Sequence, residues 1–269
     1  MATSVRRRNL DLAGLDVPVV ELTGAQDGPL LTVIAGVHGC EYVPMAAVRE
    51  WTTALERREI TGRIRAVPVL NVTAFRARSP FVVPEDGKNL NRCFPGNRAG
   101  TLAERLADAA FTQLISGSDA VIDAHCGDLV EALEPFALYE AGIPAITAEA
   151  GGCGLVERWA VDAHLRGLDA VLAQLGMATP VTGSGEASVR QPTSLGRFLW
   201  LRCAAGGWWG PTVQAGDRVS EGQPLGTVTS LDGSVLQETI TAPADGVIIF
   251  LTSSPAVADD GLLLGLGAK

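Results

Sequence analysis

Hydrophobic positions divide this chain into two stretches with different rhythms. Up to about residue 178, apolar runs alternate with segments of helical spacing; beyond it, short β-like runs are separated by glycine-bearing turns. In the first stretch, residues 5–22 alternate loosely, and 17–22 read as an edge strand. Residues 26–29, Gln-Asp-Gly-Pro, read as a turn. Residues 30–35 are almost continuously apolar, the signature of a strand covered on both faces. Met45, Val48, Trp51 and Leu55 recur at helical spacing, which predicts an amphipathic helix over 45–60 ended by Gly62. Residues 64–72 are β-like again and close with Asn71. This β–α–β order with a helical crossover implies parallel pairing. Residues 75–100 form a long polar segment rich in Pro and Gly, of the kind that carries function. Thr101 and Glu104 make a capping box for a helix over 101–115. Residues 120–124, 136–139 and 145–149 read as strands, and 156–175 as a long helix. Beyond residue 178, pairs such as Glu221-Gly222, Asp232-Gly233, Asp245-Gly246 and Asp260-Gly261 mark turns at roughly ten-residue intervals, the spacing of a small all-β unit. The expected fold is α/β: a mixed, largely parallel sheet flanked by helices over residues 1–185, then a small β barrel-like domain over 186–269.

Composition narrows the functional classes. Hydrophobic residues make up 47% of the 269 and charged residues 19%, which supports a sizeable core and speaks against disorder. Thirty acids against 21 bases give a net charge of −9, unsuited to a nucleic-acid or anionic-membrane surface. No run reaches the ~20 apolar residues that span a bilayer. No apolar segment follows Arg6-Arg7-Arg8, so we expect no signal peptide and a cytoplasmic protein. The five cysteines are odd in number, scattered and without a Cys-x-x-Cys pair, which excludes a disulfide framework and a thiolate zinc site. There are only three histidines: His38, His125 and His164.

His38 and Glu41 stand three apart just past the first buried strand, a spacing that suits two ligands of one metal ion. His125 follows the third buried strand and Glu149 ends another. In open α/β sheets ligands gather at the carboxyl ends of strands. Two histidines and a glutamate, with a fourth position open, suit a catalytic zinc. Glu149 is then the candidate to move protons between water and a leaving nitrogen. Asn91 and Arg92, in the long loop, offer an amide and a guanidinium fork able to bind a carboxylate bidentately. His164 reads as a packed helix residue. Asp123 could orient His125 or bond to backbone. Cys40, Cys93, Cys126 and Cys153 lie among these residues, so a nucleophilic thiol is an alternative; filling small packed positions is the plainer reading.

Four motifs, Gly-Val-His38-Gly-Cys-Glu41, Asp86-Gly-Lys-Asn-Leu-Asn-Arg92-Cys-Phe-Pro-Gly96, Ile122-Asp-Ala-His125 and Thr147-Ala-Glu149-Ala-Gly-Gly152, together resemble the succinylglutamate desuccinylase/aspartoacylase family of zinc carboxypeptidase-like hydrolases. The resemblance covers about residues 30–155. It implies His38, Glu41 and His125 as ligands of one Zn2+, Glu149 as general base and acid, and Asn91 with Arg92 as a clamp on the substrate carboxylate. Family members often carry a further arginine upstream of the Asn-Arg pair to stabilise the oxyanion; Arg78 is the residue here that could serve. Cys126-Gly-Asp128-Leu-Val-Glu131 departs from the family in its acidity, and Asp128 would suit an amine-bearing substrate.

Val213 to Gly226 and Ile240 to Val247 resemble a biotinyl/lipoyl-type barrel, but Lys88 and Lys269 are the only lysines and none lies on the hairpin around Ser230 to Ser234. A carrier role is therefore disfavoured. A cap over the active site, a limit on substrate size or an interface between copies of a homo-oligomer would use the apolar area of Trp208 and Trp209. The expected reaction is zinc-dependent hydrolysis of a small N-acyl amino acid or similar amide. A carboxypeptidase acting on short peptides and a non-catalytic zinc or ligand-binding protein are the alternatives.

Overall fold

The computed structural model describes residues 3–133, 136–139, 144–179 and 193–269. The chain parts into two compact units, one built from residues 3–129, 137–139 and 144–179, the other from 130–133, 136 and 193–269. The boundary expected between 185 and 186 lies outside the described residues.

The strands of the first unit are β1 (Ser4–Leu12), β2 (Leu15–Thr23), β3 (Gln26–Ala35), β4 (Thr61–Val67), β5 (Ala120–His125), β7 (Phe136–Tyr139) and β8 (Ala145–Glu149); β6 (Glu131–Leu133) belongs to the second. The seven make one sheet in the order β1-β2-β4-β3-β5-β8-β7. β3 pairs parallel with β4 and β5, and β5 parallel with β8, while β1, β2 and β4 pair antiparallel. The helices are α1 (Tyr42–Leu55), α2 (Val72–Ala77), α3 (Leu102–Ala110) and α4 (Arg158–Gln174). Leu31, Val33 and Ala35 of β3 pack with Val48, Trp51 and Leu55 of α1, while Ile34 on the opposite face packs with Leu106 and Ala110 of α3. Burial on both faces explains the unbroken apolar run. α3 begins as its capping box requires: the Thr101 N–H donates to Glu104 Oε2 at 2.8 Å. The chain then widens into a π turn over Phe111–Ile115.

Several element boundaries differ from the sequence reading. β2 is an internal strand, since β1 covers its outer edge; the loose alternation of residues 5–22 is a hairpin of two strands. Residues 26–29 open β3 instead of turning. Gly28 and Gly62 allow this, because β3 and β4 slip register between the Gln26–Thr61 and Leu30–Arg63 pairs and approach closely there. Gly62 therefore lies in β4, and α1 ends earlier, at Leu55. Residues 68–72 leave the sheet: Asn71, fully buried, caps the short helix α2 by accepting the Ala74 N–H on Oδ1 at 3.2 Å.

The second unit has its own core around Trp209, Leu225, Val228, Ile248 and Leu264. Its strands β9 (Arg197–Arg202), β10 (Gly207–Pro211), β11 (Arg218–Val219), β12 (Pro224–Thr229), β13 (Leu236–Thr241), β14 (Gly246–Thr252), β15 (Ala256–Val257) and β16 (Leu262–Ala268) form two antiparallel sheets. Here β6 pairs with β14, so the chain enters this unit once before residue 144 and again at its carboxyl-terminal end. No helix among the described residues is long and apolar enough to cross a membrane.

Candidate metal centre

Two segments deliver three buried polar side chains to one point. β3 ends at Ala35, and the chain turns through Gly36 into His38. Asn71 braces this turn: its N–H donates to Gly36 O at 2.8 Å and its Nδ2 to Val37 O at 3.2 Å. Glu41 is the residue preceding α1, and His125 is the last residue of β5. His38, Glu41 and His125 are 7%, 3% and 1% exposed, and one potential ligand atom from each lies within 4.8 Å of the others. Isolated buried ionisable groups are costly, so three together call for mutual compensation or an ion.

The rings are oriented alike. His38 Nδ1 lies 2.5 Å from Glu41 Oε1, and His125 Nδ1 lies 2.9 Å from Glu41 Oε2. The Nε2 atoms point outward. His38 Nε2 is 3.1 Å from Asn89 Oδ1, which also accepts the Asn91 N–H at 2.9 Å. The backbone N–H is always a donor, so the amide atom facing it is oxygen, and His38 must donate from Nε2. Its Nδ1 is thereby turned to the centre, where it would offer a lone pair to a bound ion. Behind His125, Asp123 Oδ2 lies 3.0 Å from Nε2, close enough for charge pairing but not aligned as a hydrogen bond. Burial opposes a charged His125, yet Asp123 and Glu41 outweigh it and raise its pKa well above the ordinary histidine value. Burial likewise works against an ionised Glu41, but His125 and then His38 hold it below the usual carboxylate range. Two imidazole nitrogens and a carboxylate converging on one point, with the His38 ring fixed by Asn89, fit a divalent ion of borderline softness.

The other sequence-predicted residues surround this cluster in different ways. Glu149 is in register with His125 across the parallel β5–β8 pair, so both side chains leave the same face at the strand ends. Asn91 and Arg92 lie in a single 3₁₀ turn, Leu90–Arg92, that begins beside Asn89; Arg92 is exposed. Arg78 is exposed at the end of α2 in a left-handed conformation, φ 54°, and its charge acts on Cys40 and Tyr42. Asp128 is buried, accepting the Phe81 N–H at 3.2 Å and the Leu129 N–H at 2.6 Å. Burial first, and then Glu41, raise its pKa. Glu131 falls in β6, in the second unit. Burial raises the thiol pKa of Cys40, Cys93 and Cys126, the reverse of what a nucleophilic thiolate needs. Two contributors were not recognised from sequence: Asn89, hidden inside the motif that drew attention to Asn91 and Arg92, and Asn71, read as the end of a strand.

The fold and the cluster define a mixed α/β domain with a candidate divalent-metal centre at the carboxyl ends of its parallel strands. Residues 27–141 match the model of the succinylglutamate desuccinylase/aspartoacylase catalytic domain. The likeness to that family is carried by this stretch of the chain. A curated relative, the N-alpha-acetyl-L-2,4-diaminobutyric acid deacetylase of Halomonas elongata, is 37% identical over 114 residues; that match spans 41% of this chain and 32% of the relative's length. Among solved structures, the product-bound ectoine utilization protein EutE (DoeB) from Ruegeria pomeroyi superposes with a TM-score of 0.82 at 22% identity, covering 100% of this chain and 96% of that one. A succinylglutamate desuccinylase/aspartoacylase from Rhodobacter sphaeroides gives a TM-score of 0.82 at 21% identity, covering 98% and 95%. At these identities the two structures speak to the fold.

Proposed function

We propose that this chain is a zinc-dependent amidohydrolase that removes the acyl group from a small N-acyl amino acid or related amide. The observation that carries the reading is the convergence of His38, Glu41 and His125, buried and inward-facing, with Glu149 in register beside His125. A zinc ion held by those three residues would supply Lewis acidity, polarising the scissile carbonyl and making water more acidic. Glu149 takes the proton of the attacking water on a carboxylate oxygen and delivers it to the leaving nitrogen, which then departs as an amine. Asn91 and Arg92 bind the substrate carboxylate, and Arg78 supplies positive charge to the carbonyl oxygen as it becomes anionic. Asp128, whose carboxylate lies near Glu41 and His38, makes this side of the site acidic and favours a substrate bearing a second amine. The Halomonas relative's named substrate is of that type, so N-acetylated diamino acids head the screen.

The test is metal analysis of the purified protein followed by a substrate screen read by mass spectrometry, with N-acyl amino acids set against dipeptides. Glu149→Gln should retain the metal and lose about 10²–10⁴-fold in kcat. Full turnover in that variant would remove the proposed mechanism.

A further inference from the structure

His164 is the third histidine of the chain, and the mechanism above gives it no part. It is buried in α4, 6% exposed, one turn beyond Ala160 on the same helix face. Ala160 fixes where that face sits. Gly151, with φ +81°, lets α4 approach the strand ends closely: a Cβ there would come within 2.7 Å of Ala160 Cβ and 3.0 Å of Val43 Cγ2. From this position His164 Nε2 lies 3.0 Å from the main-chain carbonyl of His125. The same carbonyl is approached by the Ala150 N–H at 3.4 Å, longer than an ordinary hydrogen bond. The last rung between β5 and β8 is therefore stretched, and the imidazole makes the shorter contact. A carbonyl oxygen can only accept, so His164 Nε2 carries the hydrogen and donates it.

We propose that His164 is a positioning residue of this centre: its bond to the His125 main chain, made where β5 and β8 part, sets the His125 ring and Glu149 relative to each other. The inference rests on the metal-centre reading above. A side chain present only to fill space could be replaced by an apolar residue of similar size, whereas one that holds a carbonyl cannot.

The experiment compares the cobalt-substituted wild-type protein with His164→Leu, His164→Gln and His164→Asn, after circular dichroism has verified folding. Visible absorption reports the ligand geometry, and kcat and KM are measured on the substrate found in the screen. His164→Leu should shift the cobalt bands and lower kcat about 10-fold or more, with KM little changed. His164→Gln, whose amide N–H reaches as far as Nε2, should restore both; His164→Asn, which is shorter, should not. A folded His164→Leu protein with wild-type bands and kcat would overturn the inference. If the Leu variant does not fold, equal behaviour of the Gln and Asn variants would overturn it. A wild-type protein that binds no cobalt would remove the metal reading itself and this inference with it; normal wild-type binding with unaffected variants removes this inference alone.

Discussion

Asn89 holds two N–H donors on one oxygen, from the His38 ring and from the Asn91 backbone. Removing that oxygen frees His38 to rotate or to change tautomer, and either turns a lone pair away from the centre. We expect Asn89→Ala to weaken metal affinity about 10- to 100-fold, measured by competition with a chromophoric chelator. Asn89→Asp, which keeps an acceptor, should lose much less; equal affinity in all three proteins would show that the bond does not orient the ring. At this scale the sequence was readable where residue chemistry is scarce. Three histidines leave little choice, and a His and a Glu three apart after a buried strand stand out. Asn89 did not stand out because asparagine is a routine loop residue, and its role depends on which atom of a distant ring it meets. His164 was read correctly as packed within a helix, but its partner could not be foreseen: it is a main-chain carbonyl 39 residues earlier, and carbonyls leave no trace in residue identity.

Among elements, the approach of α2 to the His38 turn shows how a small residue permits a site. Gly39 lies against this helix so closely that a Cβ would meet the Ala74 carbonyl carbon at 2.4 Å and its oxygen at 2.5 Å. Those are backbone atoms of a helix capped by Asn71, the same residue that braces the turn on Gly36 and Val37. Neither side has a flexible atom to give way. Gly39→Ala should therefore cost about 1–3 kcal/mol in stability by overpacking, read from the denaturant midpoint, and should weaken metal binding because His38 moves with the turn. A variant with wild-type stability and affinity would mean that α2 shifts freely. The apolar run of β3 could be read directly because burial on both faces imprints itself on every position from Leu30 to Ala35. α2 could not: six residues are too few for a periodic pattern, and its start depends on how the Asn71 side chain folds back. The parallel pairing of β3 with β4 could be read from the β–α–β order, but its register slip was hidden, since the glycines that allow their close approach look like turn formers in isolation.

At the scale of the whole molecule, the three candidate ligands all belong to the first unit, on two segments far apart in sequence that follow or end the neighbouring strands β3 and β5. The second unit packs around a separate core and contributes none of them. A ligand that binds only the folded state stabilises it by mass action, by about 2.7 kcal/mol at a free concentration 100 times Kd. That stabilisation should be felt by the segments whose opening breaks the site. We therefore expect metal loading to slow amide hydrogen exchange in β3, β5 and the first turn of α1, and to leave β14 and β16 unchanged. The comparison is made on the full chain by mass spectrometry, with and without a chelator. Equal slowing in β14 and β16 would show that the two units open together. No slowing in β5 would mean that the ion does not sit among His38, Glu41 and His125. Because amide exchange needs neither a substrate nor turnover, it tests the location of the site separately from the reaction assigned to it.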